Sequence, residues 1–412
     1  MNVGFKFLKT VFGLGLLTVG LSTRPTTLTA NVLSVFPAGA ACKSAAMESA
    51  LNCTDGATLL YNPGAVKPGF AAEVGVARLE YSYEHQDFDP VVVSLWTPVA
   101  SASWVDRLIN DQLSIGFSIM PSSAADLKLK GLPRRIEGSQ QSMNIKASKH
   151  QLHLALGGSF SIPSSGATIG LTLLYTYDQR TLTGDPISDP GARLVDLKAH
   201  GHFFRPLTGF VWTNGTYSVG SSYMFPLVKK FSGKTKLAIE PEPFHTAQVD
   251  YDPSVWMNSV AVSIDGVSLS INANRIFAKA GRSIHRDGLN LRTQQTDLRD
   301  VNHVGARVSI DTGTYGSWAL GVAHLDSYWG SGYFFKDEDG IPQHQIGHVF
   351  GQFNAIPVRN QALYWSNSFG AWHMETAIFR SAGTTTVGPG GDNPGYYQLE
   401  FVSLTSGIKR IL

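Results

Sequence analysis

The chain has 412 residues, a formal net charge of +2, and 16 % charged against 43 % hydrophobic residues. A balance so close to neutral gives no basis for nucleic-acid binding by charge, which needs a strongly basic surface. Charged residues fall well below the roughly 25 % of soluble domains, and the mean hydropathy is -0.02; few charges with neutral hydropathy fit strands that alternate an apolar and a polar face, as in a transmembrane β-barrel, with a secreted β-rich protein as the alternative.

Lys6 and Lys9 precede an apolar run of eleven residues, Val11 to Leu21. A basic start and a hydrophobic stretch of that length read as an export signal over residues 1–30, with cleavage near Ala30. The run is too short to cross a bilayer as a helix. No other stretch reaches about 18 uninterrupted apolar residues, so no transmembrane helix is expected.

Residues 31–69 do not follow a strand pattern. Ala45, Ala46, Ala50 and Leu51 recur at helical spacing around Met47 and Glu48, which predicts a short helix over 43–51. Asp55-Gly56 is a turn signal, Leu59-Leu60-Tyr61 a short apolar stretch, and Asn62-Pro63-Gly64 a second turn. Both cysteines of the chain, Cys42 and Cys53, fall in this segment. In an exported chain they are expected to form a disulfide closing a small loop; two buried free thiols are the alternative. A compact segment between a signal and a long β-array reads as a plug that the array closes around.

From Phe70 the period is two, over residues 70–412. Val74, Val76, Leu79, Tyr81 and Tyr83 begin it, with a phase slip near Ala77-Arg78. Leu113, Ile115, Phe117 and Ile119 alternate with Ser114, Gly116 and Ser118. Ile169, Leu171, Leu173, Tyr175 and Tyr177 alternate with Thr168, Gly170, Thr172 and Thr176. In a membrane barrel the apolar face points to lipid. The clearest unit is a hairpin turning at Asp265-Gly266, with Ile264 opposite Val267, and with Val262–Leu269 and Val260–Ile271 on one face and Ser263–Ser268 and Ala261–Ser270 on the other. So short a turn belongs on the periplasmic side of an outer-membrane barrel. Polar, Gly- and Pro-rich stretches at 124–141, 180–194, 229–246, 278–300, 334–346 and 382–394 read as extracellular loops. The residues left after the plug allow about twelve to sixteen tilted strands.

An export signal, a small-residue segment ending in Tyr61-Asn62-Pro63-Gly64, and a long β-array together resemble the long-chain fatty acid transporter family of outer-membrane proteins. That family has an Asn-Pro-Ala motif in an N-terminal hatch that plugs a barrel of fourteen strands; Asn62 and Pro63 match the motif, and Gly64 stands where the family has alanine. Asp111-Gln112-Leu113-Ser114-Ile115-Gly116 with Pro121 is similar to the family's third-strand region. Ser218-Val219-Gly220-Ser221-Ser222-Tyr223 and Phe231-Ser232-Gly233 resemble a later strand and the loop after it. The end of the chain, Lys409-Arg410-Ile411-Leu412, lacks the terminal aromatic residue usual in such barrels.

The resemblance implies an all-β antiparallel barrel of about 14 strands with a small N-terminal helical hatch over 31–69, in the outer membrane of a Gram-negative-type bacterium. It implies passive uptake of hydrophobic molecules, long-chain fatty acids or similar lipids and hydrocarbons, with lateral exit through an opening in the wall. Asn62, Pro63 and Gly64 would be the gating motif, and Gly116 and Pro121 the lateral opening, since glycine and proline let ladder groups go unpaired. The expected partners are a hydrophobic small molecule and the surrounding lipid and lipopolysaccharide, with the protein a monomer. The alternative is a structural or adhesive barrel without transport. No catalytic residue, cofactor or metal is expected. His344 and His348 are spaced like ligands on a helix but sit in a loop-like stretch, Asp337-Glu338-Asp339 lacks the rest of a calcium loop, and no Gly-x-Ser-x-Gly motif occurs. Arg134-Arg135 and Lys229-Lys230 read as solvated or lipopolysaccharide-facing rims.

Overall fold

The computed structural model describes residues 50–51, 56–85, 88–108, 112–136, 139–186, 195–237, 244–277, 279, 284–286, 300–313, 317–325, 335–336, 342–343, 358–369, 372–387 and 395–411. The export signal, both cysteines, most of the expected 43–51 helix, His344, His348 and Asp337-Glu338-Asp339 lie outside these residues.

Seventeen segments pair into one antiparallel sheet. Three strands are built from two segments each, so the described segments make fourteen strands: β1 (Gly69–His85), β2 (Phe88–Leu108), β3 (Leu113–Ile136), β4 (Ser139–Ile162), β5 (Ala167–Pro186), β6 (Val195–Thr213), β7 (Tyr217–Met224 and Leu227–Leu237), β8 (Phe244–Asp252 and Ser254–Ile264), β9 (Val267–Phe277 and Ile284–Arg286), β10 (Val301–Asp311), β11 (Ser317–Leu325), β12 (Val358–Phe369), β13 (Trp372–Val387) and β14 (Gly395–Ile411). Each strand pairs with its neighbours in chain order, and β1 also pairs with β14 from Gly69↔Ile411 to Glu84↔Tyr396. That last ladder closes the sheet into a barrel and removes both edges, as a bilayer demands of a β-structure.

The β8–β9 hairpin has the register that the sequence predicts, from Ile264↔Val267 through Val262↔Leu269 to Val260↔Ile271. Asp265 (φ 48°) and Gly266 (φ 78°) both take the left-handed conformation that a two-residue hairpin turn requires.

Large apolar side chains point outward into an exposed belt. On β5 these are Ile169, Leu171 and Leu173, followed upward by Tyr175 and Tyr177, while Thr172, Leu174, Thr176 and Asp178 between them are buried inward. From Ile169 to Tyr177, about 3.3 Å per residue at a tilt near 40° gives a belt about 20 Å tall, close to that of an outer-membrane barrel. Aromatic residues ring the turn end, with Trp104, Phe160, Tyr217, Trp318 and Trp372 all exposed.

Two sequence expectations change. Within the stretches read as loops, residues 124–136, 180–186 and 229–237 are strand, because β3, β5 and β7 climb well above the belt. There the outer face meets water, so no apolar stripe marks the period. The phase slip at Ala77-Arg78 has the same origin. β1 keeps its register with β14 straight through it, but Val74 below and Arg78 and Glu80 above occupy the same outward series. Arg78 pairs with Glu80 on that face, and Arg380 of β13 pairs with Glu400 of β14 at 2.6 Å.

Candidate functional site

Inside the barrel, residues 56–66 form a compact double turn. Gly56–Leu60 is one 3₁₀ turn and Pro63–Ala65 another. Between them Asn62 caps the second turn: its Oδ1 accepts from the Gly64 N–H at 3.0 Å, and Pro63 occupies the first helical position, where no N–H is needed. Asn62 Nδ2 donates to the Phe210 carbonyl of β6 at 3.2 Å and to the Ala50 carbonyl at 2.5 Å. The Ala50 N–H in turn donates to Ser259 Oγ of β8 at 2.8 Å. Thr58, Leu59, Leu60, Tyr61 and Asn62 are all at most 1 % exposed, so the segment is packed against the wall and not draped in the opening.

Its seat is a run of inward-facing glycines on three neighbouring strands. A Cβ on Gly170 of β5 would lie 2.3 Å from the Pro63 carbonyl carbon. One on Gly209 of β6 would lie 2.0 Å from Asn62 Oδ1, and one on Gly220 of β7 would lie 2.7 Å from Leu51 Cδ2. The reverse holds at Gly64, where a Cβ would meet Phe210 N at 2.8 Å and the Gly209 carbonyl carbon at 2.9 Å. Backbone is in contact with backbone here. The closeness explains why glycine stands in place of the motif's alanine.

The wall has a break between β2 and β3. Their ladder runs from Leu108↔Leu113 to Ala102↔Ile119 and ends there. Above that pair, β2 continues on β1 up to Phe88, and β3 continues on β4 up to Ile136. No ladder pair joins the two strands over these described residues, so the wall forks about seven residues above the turn end. Pro121, which faces outward, lies two positions beyond the last pair and has no N–H to offer β2. Gly116 lies below the fork, laddered to Val105 on one side and Gly157 on the other, and a Cβ there would come 2.4 Å from the Trp104 carbonyl oxygen.

The inner segment spans both places. Gly56–Leu60 lies against β2 and β3, while Pro63–Ala65 lies against β5 and β6. Asn62, Pro63 and Gly64 therefore sit at the glycine seat and not beside Gly116 and Pro121; the turn before them lies against the two strands that part at the fork. The glycine seat itself was not singled out from sequence, although Gly170 and Gly220 each interrupt the polar face of an alternating run; Gly209 lies between Leu207 and Val211 on its face. Only the registers of β5 with β6 and of β6 with β7 bring them to one spot.

Higher in the lumen, β4 and β5 carry a buried polar group. Gln151 Nε2 donates to Asp178 Oδ2 at 2.8 Å, and Arg180 Nη2 pairs with the same oxygen at 3.1 Å. His153 Nδ1 lies 2.9 Å from Thr176 Oγ1. Lys229, read from sequence as a solvated rim cation, is 5 % exposed and pairs with Asp252 at 2.6 Å, because it falls on the inward series of β7. Lys230 is exposed on the outer face.

No protein-family model matches the chain, and no curated protein matches it in sequence. Solved structures do. A FadL homologue of Pseudomonas aeruginosa aligns over 94 % of this chain and 99 % of its own, with a TM-score of 0.63 and 12 % identity. The toluene transporter TodX of Pseudomonas putida aligns over 90 % and 98 % (TM-score 0.61, 12 % identity). The toluene transporter TbuX of Ralstonia pickettii aligns over 87 % and 94 % (TM-score 0.54, 9 % identity). At such identities the likeness is one of fold, and it extends over nearly the whole of each chain.

Proposed function

We propose that this chain is an outer-membrane channel for the passive uptake of hydrophobic molecules, with residues 31–69 as its hatch and the fork between β2 and β3 as its lateral opening. The observation that carries this reading is the fork itself, between two strands that Gly56–Leu60 lies against from inside. A closed barrel holds a membrane by pairing every ladder group, so a wall that parts from Ser101 and Met120 upward runs against the usual economy of the fold. An opening lets an apolar solute pass from the lumen into lipid without returning to water. The printed functions of the structural neighbours, toluene transport among them, agree with that class of solute, and long-chain fatty acids belong to the same class. Asn62, Pro63 and Gly64 anchor the hatch on the glycine seat; Pro121 keeps the fork from zipping. The solvated outer faces of β1, β13 and β14, with Arg78, Glu80, Arg380 and Glu400, meet the lipopolysaccharide layer, and the closed barrel acts as a monomer.

The test is a reversible staple. Val99 and Ser122 would become partners if the register of Ala102↔Ile119 were continued across the fork. Cysteines at these two positions, in a Cys42→Ser/Cys53→Ser background, are oxidised to close the fork and reduced to release it. Uptake of labelled toluene and oleate by cells expressing the protein is expected to fall severalfold on oxidation and to recover on reduction. Equal uptake in both states would remove the fork from the transport route. If neither solute enters faster than in cells lacking the protein, the barrel is not a channel of this kind.

A further inference from the structure

The wall has a second interruption, between β6 and β7. Below it, Leu207–Thr213 ladders with Met224–Ser218; above it, Val195–His200 ladders with Leu237–Ser232. Between these, no ladder pair joins residues 201–206 to residues 225–231, all of them described. One backbone bond remains, from the Phe225 N–H to the Pro206 carbonyl at 3.2 Å. The causes are local. Pro206 and Pro226 supply no donors, and six residues face seven, so the register slips by one across the gap. On the far side, Leu227↔Asp252 and Met224↔Val255 bracket Pro226 and Pro253, which places a second proline of β8 level with the first.

A single side chain spans this weak place from within. Arg205 of β6 is 2 % exposed; its Nε donates to the Phe225 carbonyl at 2.6 Å and its Nη2 to the Pro253 carbonyl at 2.5 Å. It thereby ties β6 to β7 and β8 where prolines deny them ladder bonds. Beside it, Phe203 packs edge-on against Phe231 with ring centroids 5.1 Å apart, together with Ala199 and Leu227. On the outer face the same gap is bordered by exposed Phe204, Phe225 and Val228, and Tyr175 stands 5.2 Å from the Phe204 ring. The gap thus lies at the upper edge of the apolar belt, bounded above and below by intact ladder, with aromatic rings on both of its faces.

We propose that this gap is a second lateral port, shut in the present structure by the Arg205 strap and the Phe203–Phe231 pair, through which uncharged apolar molecules pass between the outer leaflet and the lumen. The proposal rests on the reading of the barrel as a channel for hydrophobic solutes. Apart from the one Phe225–Pro206 backbone bond, side-chain contacts hold the gap closed, so it opens without breaking a ladder pair, and what it exposes on opening is aromatic. The class of solute follows from the cations beside it. Arg180 lies 4.0 Å over the Phe231 ring but is paired with Asp178, Lys229 is paired with Asp252, and Arg205 is held by two carbonyls with Asp252 at 3.9 Å. An anionic head group would have to displace a carboxylate already in place; a neutral ring or alkane meets no such competition.

The experiment combines two staples in the Cys42→Ser/Cys53→Ser background: the Val99/Ser122 pair, and cysteines replacing His202 and Lys230, which are exposed on the outer side of the gap and would become partners if the register of His200↔Ser232 were continued into it. With only the β2–β3 fork stapled, toluene uptake is expected to keep a measurable fraction of the unstapled rate, and oxidising the second pair as well should bring it to background. In the fork-stapled chain, Arg205→Met should raise toluene uptake severalfold, and the His202/Lys230 staple should cancel that gain. The proposal is overturned if the fork staple alone reduces toluene uptake to background, or if the second staple changes nothing. The neutral-solute assignment is overturned if the uptake surviving the fork staple is of oleate and not of toluene. The staple arms do not depend on whether Arg205→Met folds, and absence of uptake in the unstapled reference would instead count against the channel reading itself.

Discussion

An arginine scan along the outer face of β9 tests which way the barrel faces. Val267, Leu269 and Ile271 point outward and are each close to half exposed, and Arg275 is the next charged residue in that series. The Asp265-Gly266 turn marks the lower edge of the belt and Arg275 the upper. Ile271 stands four residues from both Val267 and Arg275, so at about 3.4 Å per residue and a tilt near 40° it lies about 10 Å from either edge. Its partners in the wall, Val260 and Ala306, offer a guanidinium nothing. Ile271→Arg is therefore expected to cost about 2–4 kcal/mol, Leu269→Arg less, and Val267→Arg roughly 0–1 kcal/mol because its side chain can reach the interface. Ser268→Arg, whose side chain faces the lumen beside Ser263, should cost under about 1 kcal/mol. The assay is reversible unfolding in denaturant from phospholipid vesicles, followed by tryptophan fluorescence and by the heat-modifiable gel shift of a closed barrel. A flat series, or a larger cost at Ser268 than at Ile271, would refute the assignment of this face to lipid.

The glycine seat predicts that Gly209→Val, whose Cβ would overlap Asn62 Oδ1, leaves the barrel assembled but unseats residues 56–66; conductance to small polar solutes should rise in planar bilayers, and no rise would mean that the segment is no barrier. Asn62→Ala removes the bonds to Phe210 and Ala50 and the cap on Gly64, leaving buried carbonyls unpaired at about 1–3 kcal/mol each; limited proteolysis should then cut the segment faster while the β-sheet circular dichroism stays unchanged. Cys42 and Cys53 are expected to resist alkylation until reduced, read as a mass shift of two adducts, and immediate labelling would favour free thiols.

Within the apolar belt the strands could be read directly from the chain. Ile169, Leu171 and Leu173 alternate with Gly170 and Thr172 because lipid meets one face and the lumen the other, and the Asp265-Gly266 hairpin keeps that alternation in step on both arms. Above the belt the signal fades. Residues 124–136 and 180–186 are strand although they read as loop, since water on the outer face removes the need for an apolar stripe. Lys229 looked like a rim cation because the belt-level part of β7, whose inward series is Gly220, Ser222 and Met224, would turn it outward; the one-residue slip past Phe225 and Pro226 is what brings it to the lumen.

The site divides along the same line. Asn62-Pro63-Gly64 could be picked out from sequence because capping and turn chemistry are local: an acceptor, a fixed φ and a small residue in succession suffice. Pro121 was legible as a strand breaker for a similarly local reason. What the chain could not disclose was which neighbour each element would lack or meet. The β2–β3 fork is a property of two ladders that stop pairing, the strap of Arg205 joins residues 20 and 48 positions apart, and the seat under Asn62 needs Gly170, Gly209 and Gly220 from three strands. Period and turn type are set by forces acting over a few residues; a gap, a latch and a seat are set by register between strands, and that is decided only when β5, β6, β7 and β8 pair with one another.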